Sequence, residues 1–207
     1  MPAFAQLAFT PEVQEAQASA YGMAWDPGSE GDFSPDRLGP AEAQFIAARD
    51  TFFMATVGSG GWPYVQHRGG PAGFVRVLDE ATLAFADFRG NRQLISTGNL
   101  AGGEGRVALI FVDFARRRRL KVLATARVVT ASEDPDLIAR IAPEGTAARV
   151  ERAFVLTVRA LDWNCPQHIV PRYTEREIEA AIVAPLKEEI ARLRATLDQL
   201  RKETAQP

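Results

Sequence analysis

The spacing of apolar and polar residues predicts a β-rich core in the middle of the chain. Short runs rich in β-branched, aromatic and other apolar residues are separated by clusters of Gly, Pro, Asp and Ser, which is typical of antiparallel strands and tight turns. The predicted strands are Thr51–Val57, Pro63–Arg68, Phe74–Leu78, Thr82–Ala86, Arg106–Phe114, Leu120–Thr130 and one within Arg149–Trp163. This succession, interrupted by small helices, predicts an antiparallel barrel in the α+β class.

Helix signals flank these strands. Thr10 is a good N-cap, and Pro11 suits the first position of a helix. The segment from Gly22 to Gly39 is rich in Gly, Pro, Asp and Ser and predicts a loop. The predicted short helices are Pro11–Ala20, Gly39–Asp50, Asn91–Leu100 and Asp134–Ile141.

The C-terminal region has a different pattern, and its composition predicts a helix from Glu175 to Glu203. Pro185 is expected to kink or restart this helix because it lacks a backbone donor. Apolar residues recur at alternating spacings of four and three, the a and d positions of about two heptads. They are Leu186, Ile190, Leu193, Leu197 and Leu200. Two interpretations stay open, a helix packed on its own barrel and a helix paired with another chain.

These patterns predict three regions along the chain. Residues 1–38 form an N-terminal helix and loop, residues 39–172 form the barrel domain, and residues 173–207 form a C-terminal helix that is a candidate dimerisation element.

Composition narrows the class of protein. The 207 residues, 46% hydrophobic and 24% charged, can bury one substantial core. The net charge of −2 gives no general attraction to nucleic acid or anionic membranes. A single cysteine excludes an internal disulfide, and no apolar run approaches the roughly 20 residues of a membrane helix. We expect a cytoplasmic protein whose partners include neither nucleic acid nor a membrane.

Two polar clusters are suited to a phosphate group. One follows the strand that ends near Asp87 and Phe88, and it contains Asn91, Arg92 and Gln93 at a predicted helix start. Unpaired amides at a helix start favour anions, and arginine donates paired hydrogen bonds to phosphate oxygens. The alternative is a capped surface helix whose arginine is solvated and binds no ligand.

The other cluster lies on a strand and contains Gln66, His67, Arg68 and Gly69. Successive strand residues face opposite sides, so Gln66 and Arg68 share one face and His67 takes the other. Either face could meet a ligand. The alternative is an edge strand with solvated polar residues.

Other motifs exclude several chemistries. Cys165 and His168 have a metal-like spacing, but the chain has only one other histidine and no other cysteine, so no metal site is predicted. Residues Arg116–Arg119 are interpreted as a hairpin tip and the start of the next strand. The signatures of dinucleotide-binding Rossmann folds, P-loops and serine-hydrolase elbows are lacking.

Taken together, the motifs resemble the pyridoxamine 5′-phosphate oxidase-like, FMN-binding split-barrel family, and in particular its bacterial flavin-nucleotide-binding branch. The resemblance extends roughly from Gly39 to Arg172. It is carried by the segments 63–70, 73–79, 83–100 and 163–169. It implies an α+β fold, an antiparallel split β-barrel with short flanking helices and, in this chain, a long C-terminal helix.

The resemblance also implies a homodimer with FMN at the subunit interface. By position, Arg68 would contact the flavin or its phosphate, and Asp87 would border the ring. The segment from Asn91 to Gln93 occupies the position of a Ser-Arg-Lys segment that binds the phosphate in the family. Arg118 and Arg119 match an Arg-Gln pair that reaches in from the second subunit, and Trp163 and Asn164 would lie by the ring. The predicted cofactor-binding residues are Gln66, His67, Arg68, Gly69, Asp87, Phe88, Asn91, Arg92, Gln93, Arg118, Arg119, Trp163, Asn164 and Gln167.

Departures from the family pattern limit the functional expectation. Gln93 replaces a lysine, Arg119 replaces a glutamine, and the C-terminal Arg-x-His elements of true pyridoxamine phosphate oxidases are not apparent. Vitamin B6 oxidation is therefore not assigned. We expect an FMN-dependent oxidoreductase acting on an unidentified small molecule. The alternatives are a non-catalytic flavin carrier or sensor that binds a partner, and a deazaflavin or haem in the same barrel.

Overall fold

The computed structural model describes residues 2–28, 33–90, 92–164 and 167–204. Its contacts divide the chain into two compact units. The first unit comprises Met1–Asp113 and Arg118–Gln167, and the second comprises Phe114–Arg117 and His168–Pro207. Within the described residues, no helix combines the length and the apolar character needed to cross a membrane.

In its described residues, the first unit contains five short α-helices, a 3-10 turn at Ala147–Arg149 and an antiparallel sheet. The helices are α1 Pro2–Ala8, α2 Pro11–Tyr21, α3 Pro40–Ala47, α4 Ile95–Ala101 and α5 Pro135–Ile141. The strands are β1 Thr51–Val57, β2 Pro63–Gly69, β3 Val75–Asp79, β4 Thr82–Phe88, β5 Arg106–Asp113, β6 Arg118–Thr130 and β7 Val150–Asn164.

The seven strands have the order β2-β1-β5-β6-β7-β4-β3, and every neighbouring pair is antiparallel. The predicted α+β class, antiparallel sheet and flanking helices are therefore confirmed. The sheet is not closed by hydrogen bonds, because β2 and β3 are its two edges among the described strands. Side chains bring the two ends of this open sheet together, as described below.

Aromatic side chains fill the core on the concave face of the sheet. The rings of Phe52 and Phe111 lie 5.0 Å apart, as do those of Phe85 and Phe154. All four side chains are fully buried and come from β1, β5, β4 and β7. Burying an aromatic side chain contributes about 1.5–3 kcal/mol. Because these strands come from both halves of the sheet, the core stabilises its curvature.

Most element boundaries agree with prediction to within two residues, and larger differences occur at three places. Helix α1 lies ahead of the predicted N-terminal helix, and α3 ends at Ala47 rather than Asp50. Helix α4 begins at Ile95 and not at Asn91, which lies outside the described residues. The physical reason is local, because Arg92 and Leu94 have φ angles of 61° and 52°. These left-handed residues cannot belong to a right-handed helix.

The second unit is dominated by a long C-terminal helix, as predicted. It comprises α6 Glu175–Ile178, a π-helical segment Glu179–Val183 and α7 Ala184–Thr204. A kink or restart was expected at Pro185, and the helix is irregular beside it, where the π-helical segment ends at Val183 and α7 begins at Ala184. The amide of Ala184 donates to the carbonyl of Glu179, so the helix widens just before the proline and continues. A π-turn accommodates the proline ring without ending the helix.

Candidate functional site

A cleft of about 210 Å³ lies where the two ends of the sheet approach each other. It is formed by the inner face of β2, the end of β4, the start of β7 and the segment leading into α4. The described residues that line it are Tyr64, Gln66, Arg68, Asp87, Phe88, Gly90, Arg92, Gln93, Leu94, Ile95, Ser96, Thr97, Glu151 and Arg152.

An ion-pair network forms the floor of this cleft. Arg68 Nη1 lies 2.7 Å from Asp87 Oδ1, and Arg152 Nη1 lies 3.5 Å from Asp87 Oδ2. The three side chains are only 14–15% exposed. Arg152 is opposite Asp87 in the β4–β7 register, whereas Arg68 comes from β2 at the other end of the sheet. The network therefore joins the two ends of the sheet through side chains.

Arg68 is held over aromatic rings as well as by Asp87. Its guanidinium carbon lies 5.0 Å from the centre of the Phe154 ring and 5.7 Å from that of Phe85. Such cation–π contacts favour the charged arginine at a site with little water. Its Nε is buried and has no hydrogen-bond partner among the described residues. A buried donor without a partner is costly, so this atom is suited to a ligand acceptor.

The cleft carries a small excess of positive charge. Among its described lining residues, three arginines face two carboxylates, those of Asp87 and Glu151. Arg152 pairs with both carboxylates, and its Nη2 lies 2.6 Å from Glu151 Oε2. Arg92 is exposed and has no carboxylate within ion-pair distance in the described part of the chain. Arg92 is therefore the cation best able to attract an anion.

Helix α4 fixes the turn that carries Arg92. Ser96 is buried, and its hydroxyl donates to Gln66 Oε1 at 3.1 Å. Asn99 Nδ2 donates to Thr56 Oγ1 on β1 at 2.9 Å. These bonds attach α4 to β1 and β2, so the left-handed backbone at Arg92 is held by its surroundings. Sparsely populated backbone conformations of this kind are often found at ligand sites.

The orientation of strand β2 shows which of its two faces lies toward the cleft. Its Tyr64, Gln66 and Arg68 alternate toward the cleft, whereas His67 points to the opposite face. There His67 Nε2 lies 2.5 Å from Thr51 Oγ1, and its ring meets that of Phe53 at 5.5 Å. His67 therefore lies outside this cleft, although we had predicted it among the cofactor-binding residues.

A second cluster contains Trp163, which also lies outside the cleft lining. Its indole Nε1 donates to Glu42 Oε1 at 2.7 Å, and its ring meets that of Phe45 edge-on at 4.8 Å. The guanidinium of Arg118 covers the Trp163 ring at 4.5 Å. Arg119 Nε is buried and lacks a hydrogen-bond partner among the described residues. The resemblance assigns Arg118 and Arg119 to the partner's cofactor, and this stays a prediction.

The Trp163 cluster also affects the protonation of Glu42. Burial acts to raise the pKa of this carboxyl. Hydrogen bonds from Trp163 and from the amides of Glu42 and Gly39, together with the charge of Arg118, outweigh burial and hold the pKa below its ordinary value. Glu42 is therefore a carboxylate that positions Trp163 rather than an acid available for catalysis.

Several predicted site residues thus come together and others do not. Gln66, Arg68, Asp87, Phe88, Arg92 and Gln93 line one cleft. Gly69 and the exposed Gln167 are not among its lining residues. Asn91 and the side chain of Asn164 lie outside what the structure describes.

Sequence reasoning missed part of the cleft. Tyr64, Ser96 and Thr97 lie beside predicted residues, and the chain segments that contain them had been recognised. Glu151 and Arg152 have no local motif, because only the strand register brings them to Asp87. A correct pairing of β4 with β7 would have been the one signal able to reveal them.

The fold and cleft define a class: an α+β protein whose open, curled antiparallel sheet holds a basic cleft at the junction of its two ends. The family model for pyridoxamine 5′-phosphate oxidase matches residues 38–164, and the chain belongs to that family. The predicted family resemblance is therefore confirmed. This membership supports a flavin-binding protein. No curated protein sequence matches the chain.

Several solved structures are similar to this chain. A candidate pyridoxamine 5′-phosphate oxidase from Lactobacillus delbrueckii is 22% identical, with a TM-score of 0.48, over 61% of this chain and 93% of that one. An FMN-binding protein from Syntrophomonas wolfei is 12% identical, with a TM-score of 0.43, over 58% and 81%. An F420 reductase is 21% identical, with a TM-score of 0.40, over 60% and 98%.

Proposed function

We propose that this protein binds FMN and holds the FMN phosphate in the cleft beside Arg92. The observation that carries the proposal is the position of Arg92, an exposed arginine on a left-handed turn that faces a cleft already containing Arg68 and Arg152. The buried Nε of Arg68 offers a further donor. Arginine hydrogen bonds to phosphate are charge-assisted and roughly twice as strong as neutral ones. The residues present therefore fit a phosphate-bearing flavin.

The division of roles in the cleft follows from its charges. Arg68 and Arg152 are compensated by Asp87 and Glu151, so their main task is to shape the floor. Arg92 and the polar side chains of Gln66, Gln93 and Thr97 complete the polar part of the lining. This arrangement predicts that Arg92 contributes most of the phosphate-dependent affinity.

We further propose a homodimer in which the cofactor is shared between subunits. The volume of about 210 Å³ is below the roughly 300–1,000 Å³ of complete ligand pockets. The cleft of one chain therefore suits only part of a flavin. A second chain would supply the remaining wall, and Arg118, Arg119 and Trp163 are our candidates for it.

An apolar patch on the convex face of the sheet supports self-association. In the strand register, Phe53 is opposite His67 and Ile110, and Ala55 is opposite Val65 and Ala108. Directly opposed residues share a face of the sheet. Phe53 and Val65 are 38% and 60% exposed. An exposed apolar sheet face of this kind is typical of a subunit interface.

The proposed activity is that of an oxidoreductase, because bound FMN supplies two-electron redox chemistry. The chain binds and orients the cofactor, and we assign no side chain a catalytic role. The second candidate is a flavin carrier or sensor. It is favoured by the long C-terminal helix, which lies in a separate compact unit.

The phosphate assignment is tested by comparing FMN with riboflavin, which has the same ring system but lacks the phosphate. Arg92→Ala should weaken FMN binding about 10- to 100-fold, because a hydrogen bond to a charged group is worth about 1.5–3 kcal/mol. Riboflavin affinity should not change. Binding is measured by flavin fluorescence titration.

Arg106→Ala is the control for this test. Arg106 is 80% exposed, and neither it nor its ion-pair partner Glu104 is among the residues that line the cleft. It should retain full FMN affinity. Equal losses for FMN and riboflavin in Arg92→Ala, or equal losses in both variants, would contradict the phosphate role of Arg92.

The choice between enzyme and carrier needs a separate experiment. The natural ligand is first released by denaturation and identified by its absorbance and mass, which distinguishes FMN from a deazaflavin or haem. Stopped-flow mixing of the flavin-loaded protein with a nicotinamide cofactor should then bleach the flavin, and an organic acceptor should restore its colour. A flavin that dithionite reduces but nicotinamide cofactors do not would favour the carrier.

A further inference from the structure

Helix α7 presents a continuous apolar stripe to solvent. Five large apolar side chains on this helix are between 48% and 57% exposed: Leu186, Ile190, Leu193, Leu197 and Leu200. They recur at alternating spacings of four and three residues over five successive positions. A half-exposed stripe of this length is unusual for a helix whose partner is already in place.

The stripe has the geometry of a coiled-coil seam. Ile190 and Leu197 take the a positions, and the three other leucines take the d positions. The b, c and f positions from Glu188 to Gln199 hold only Glu, Ala, Arg, Asp and Gln. A stripe restricted to a and d is narrower than the face of a helix packed on a globular core. This narrowness favours a second helix as the partner over the chain's own sheet.

Charges beside the stripe discriminate between parallel and antiparallel pairing. The e positions beside the stripe are all basic, since they hold Lys187, Arg194 and Arg201. The g position just before Ile190 holds Glu189, and the next g position holds the uncharged Thr196. In a parallel pair, g meets the e position five residues later on the other helix, so Glu189 of each chain meets Arg194 of the other. In an antiparallel pair, e faces e, and the basic residues repel each other.

We propose that α7 pairs with α7 of a second copy of this chain as a parallel, two-stranded coiled coil. Leucine at every d position and isoleucine at one a position favour two strands. Pairing would remove all five apolar side chains from water at once. This interaction surface is additional to the proposed flavin site and does not depend on it.

Site-specific cross-linking in the full-length chain tests the pairing and its direction. In a Cys165→Ser background, Leu186→Cys and Leu200→Cys are oxidised separately and the products are resolved by non-reducing electrophoresis. A parallel coiled coil brings identical d positions together at both ends, so each variant should form a disulfide-linked dimer. Ala195→Cys, at an f position on the opposite face, is the control and should stay largely monomeric.

Two results would overturn the proposal. One is the absence of dimer for both Leu186→Cys and Leu200→Cys while circular dichroism shows an intact helix. The other is equal cross-linking of the Ala195→Cys control. If dimer forms only when Leu186→Cys is mixed with Leu197→Cys, so that a d position faces an a position, the pairing is antiparallel and the proposed direction is wrong.

Exchanging the charges at positions 189 and 194 tests the proposed contact between the two helices. In the Leu200→Cys background at low salt, Glu189→Arg should slow cross-linking about tenfold, because attraction between the chains becomes repulsion at two symmetric places. Adding Arg194→Glu should restore most of the rate, since the pair is then reversed. Failure of the double exchange to recover would contradict the parallel g–e contact.

Discussion

At the scale of single residues, Asp87 has the largest structural role in the cleft. Its carboxylate forms ion pairs with Arg68 at one end of the sheet and with Arg152 at the other. Both guanidinium groups are largely withdrawn from water. Without this carboxylate Arg68 would lose its ion pair in a largely buried position, whereas Arg152 would keep Glu151. The same residue that defines the floor of the candidate site thus also holds the curled sheet together.

We expect Asp87→Ala to destabilise the fold by about 2–3 kcal/mol. This is less than the roughly 3–5 kcal/mol of a fully buried broken pair, because the side chains keep some contact with water. The free energy of unfolding is measured by urea denaturation. Glu80→Ala, which removes an exposed ion pair with Arg37, is the control and should cost no more than about 1 kcal/mol. Equal losses would contradict the special role of Asp87.

The lowered pKa of Glu42 predicts that the stability of the fold depends on pH. Its pKa in the folded protein lies below the ordinary value of 4.5, so the carboxylate stabilises the fold above pH 4.5. That contribution is lost as the pH falls from 4.5 through the lower folded pKa. Glu42→Gln should therefore flatten the dependence of the free energy of unfolding on pH in this window. An identical pH profile for the wild type and the variant would exclude this linkage.

At the scale of elements, the sequence was sufficient where local patterns decide the structure. Thr51–Val57 was predicted with its observed bounds, and Thr10 caps α2 as expected by accepting from the Val13 amide. Prediction failed where the backbone departs from ordinary angles. The left-handed residues before α4 and the π-helical segment before Pro185 have no clear signature in residue type.

Gly105 allows a sharp test of such a backbone constraint. Its φ is 69°, and a Cβ at this position would lie 2.9 Å from the carbonyl oxygen of Ala126. Gly105→Ala should cost about 1–3 kcal/mol of stability, because both the backbone conformation and the contact oppose a side chain. Gly60→Ala is the matched control, since nothing lies within 4 Å of its Cβ position. Thermal unfolding of the two variants makes the comparison.

At the scale of the whole molecule, the candidate site depended on long-range pairing that the sequence does not reveal. The motifs predicted that residues of β2 and of the segment after β4 belong together, and the structure brings both to one cleft. No local pattern could add Arg152, which reaches Asp87 only through the register of β7 with β4. The strands could be predicted from the sequence. The contact between the two ends of the sheet could not.

The proposed subunit interface gives a prediction at this scale. Val65→Asp places a charge on the convex apolar patch. In a chain whose α7 seam is disabled by Leu193→Asp, it should shift the protein toward monomer in light scattering, since a desolvated unpaired carboxylate opposes association. FMN retention should fall with it, because the shared site is then incomplete. Val170→Asp, an exposed valine in the second unit, is the control and should change neither property. A Val65→Asp dimer that keeps its FMN would contradict the shared site.

The widened turn at Glu179–Val183 has a consequence for how the C-terminal helix can change. A π-turn contains one more residue than an ordinary helical turn, so removing one residue here would restore ordinary winding and leave the side chains of α7 close to their present direction relative to α6. Removing one residue from within α7 would instead rotate every later side chain by about 100°. The widened turn is thus a place where the chain can change its length by one codon without re-aiming the leucine seam.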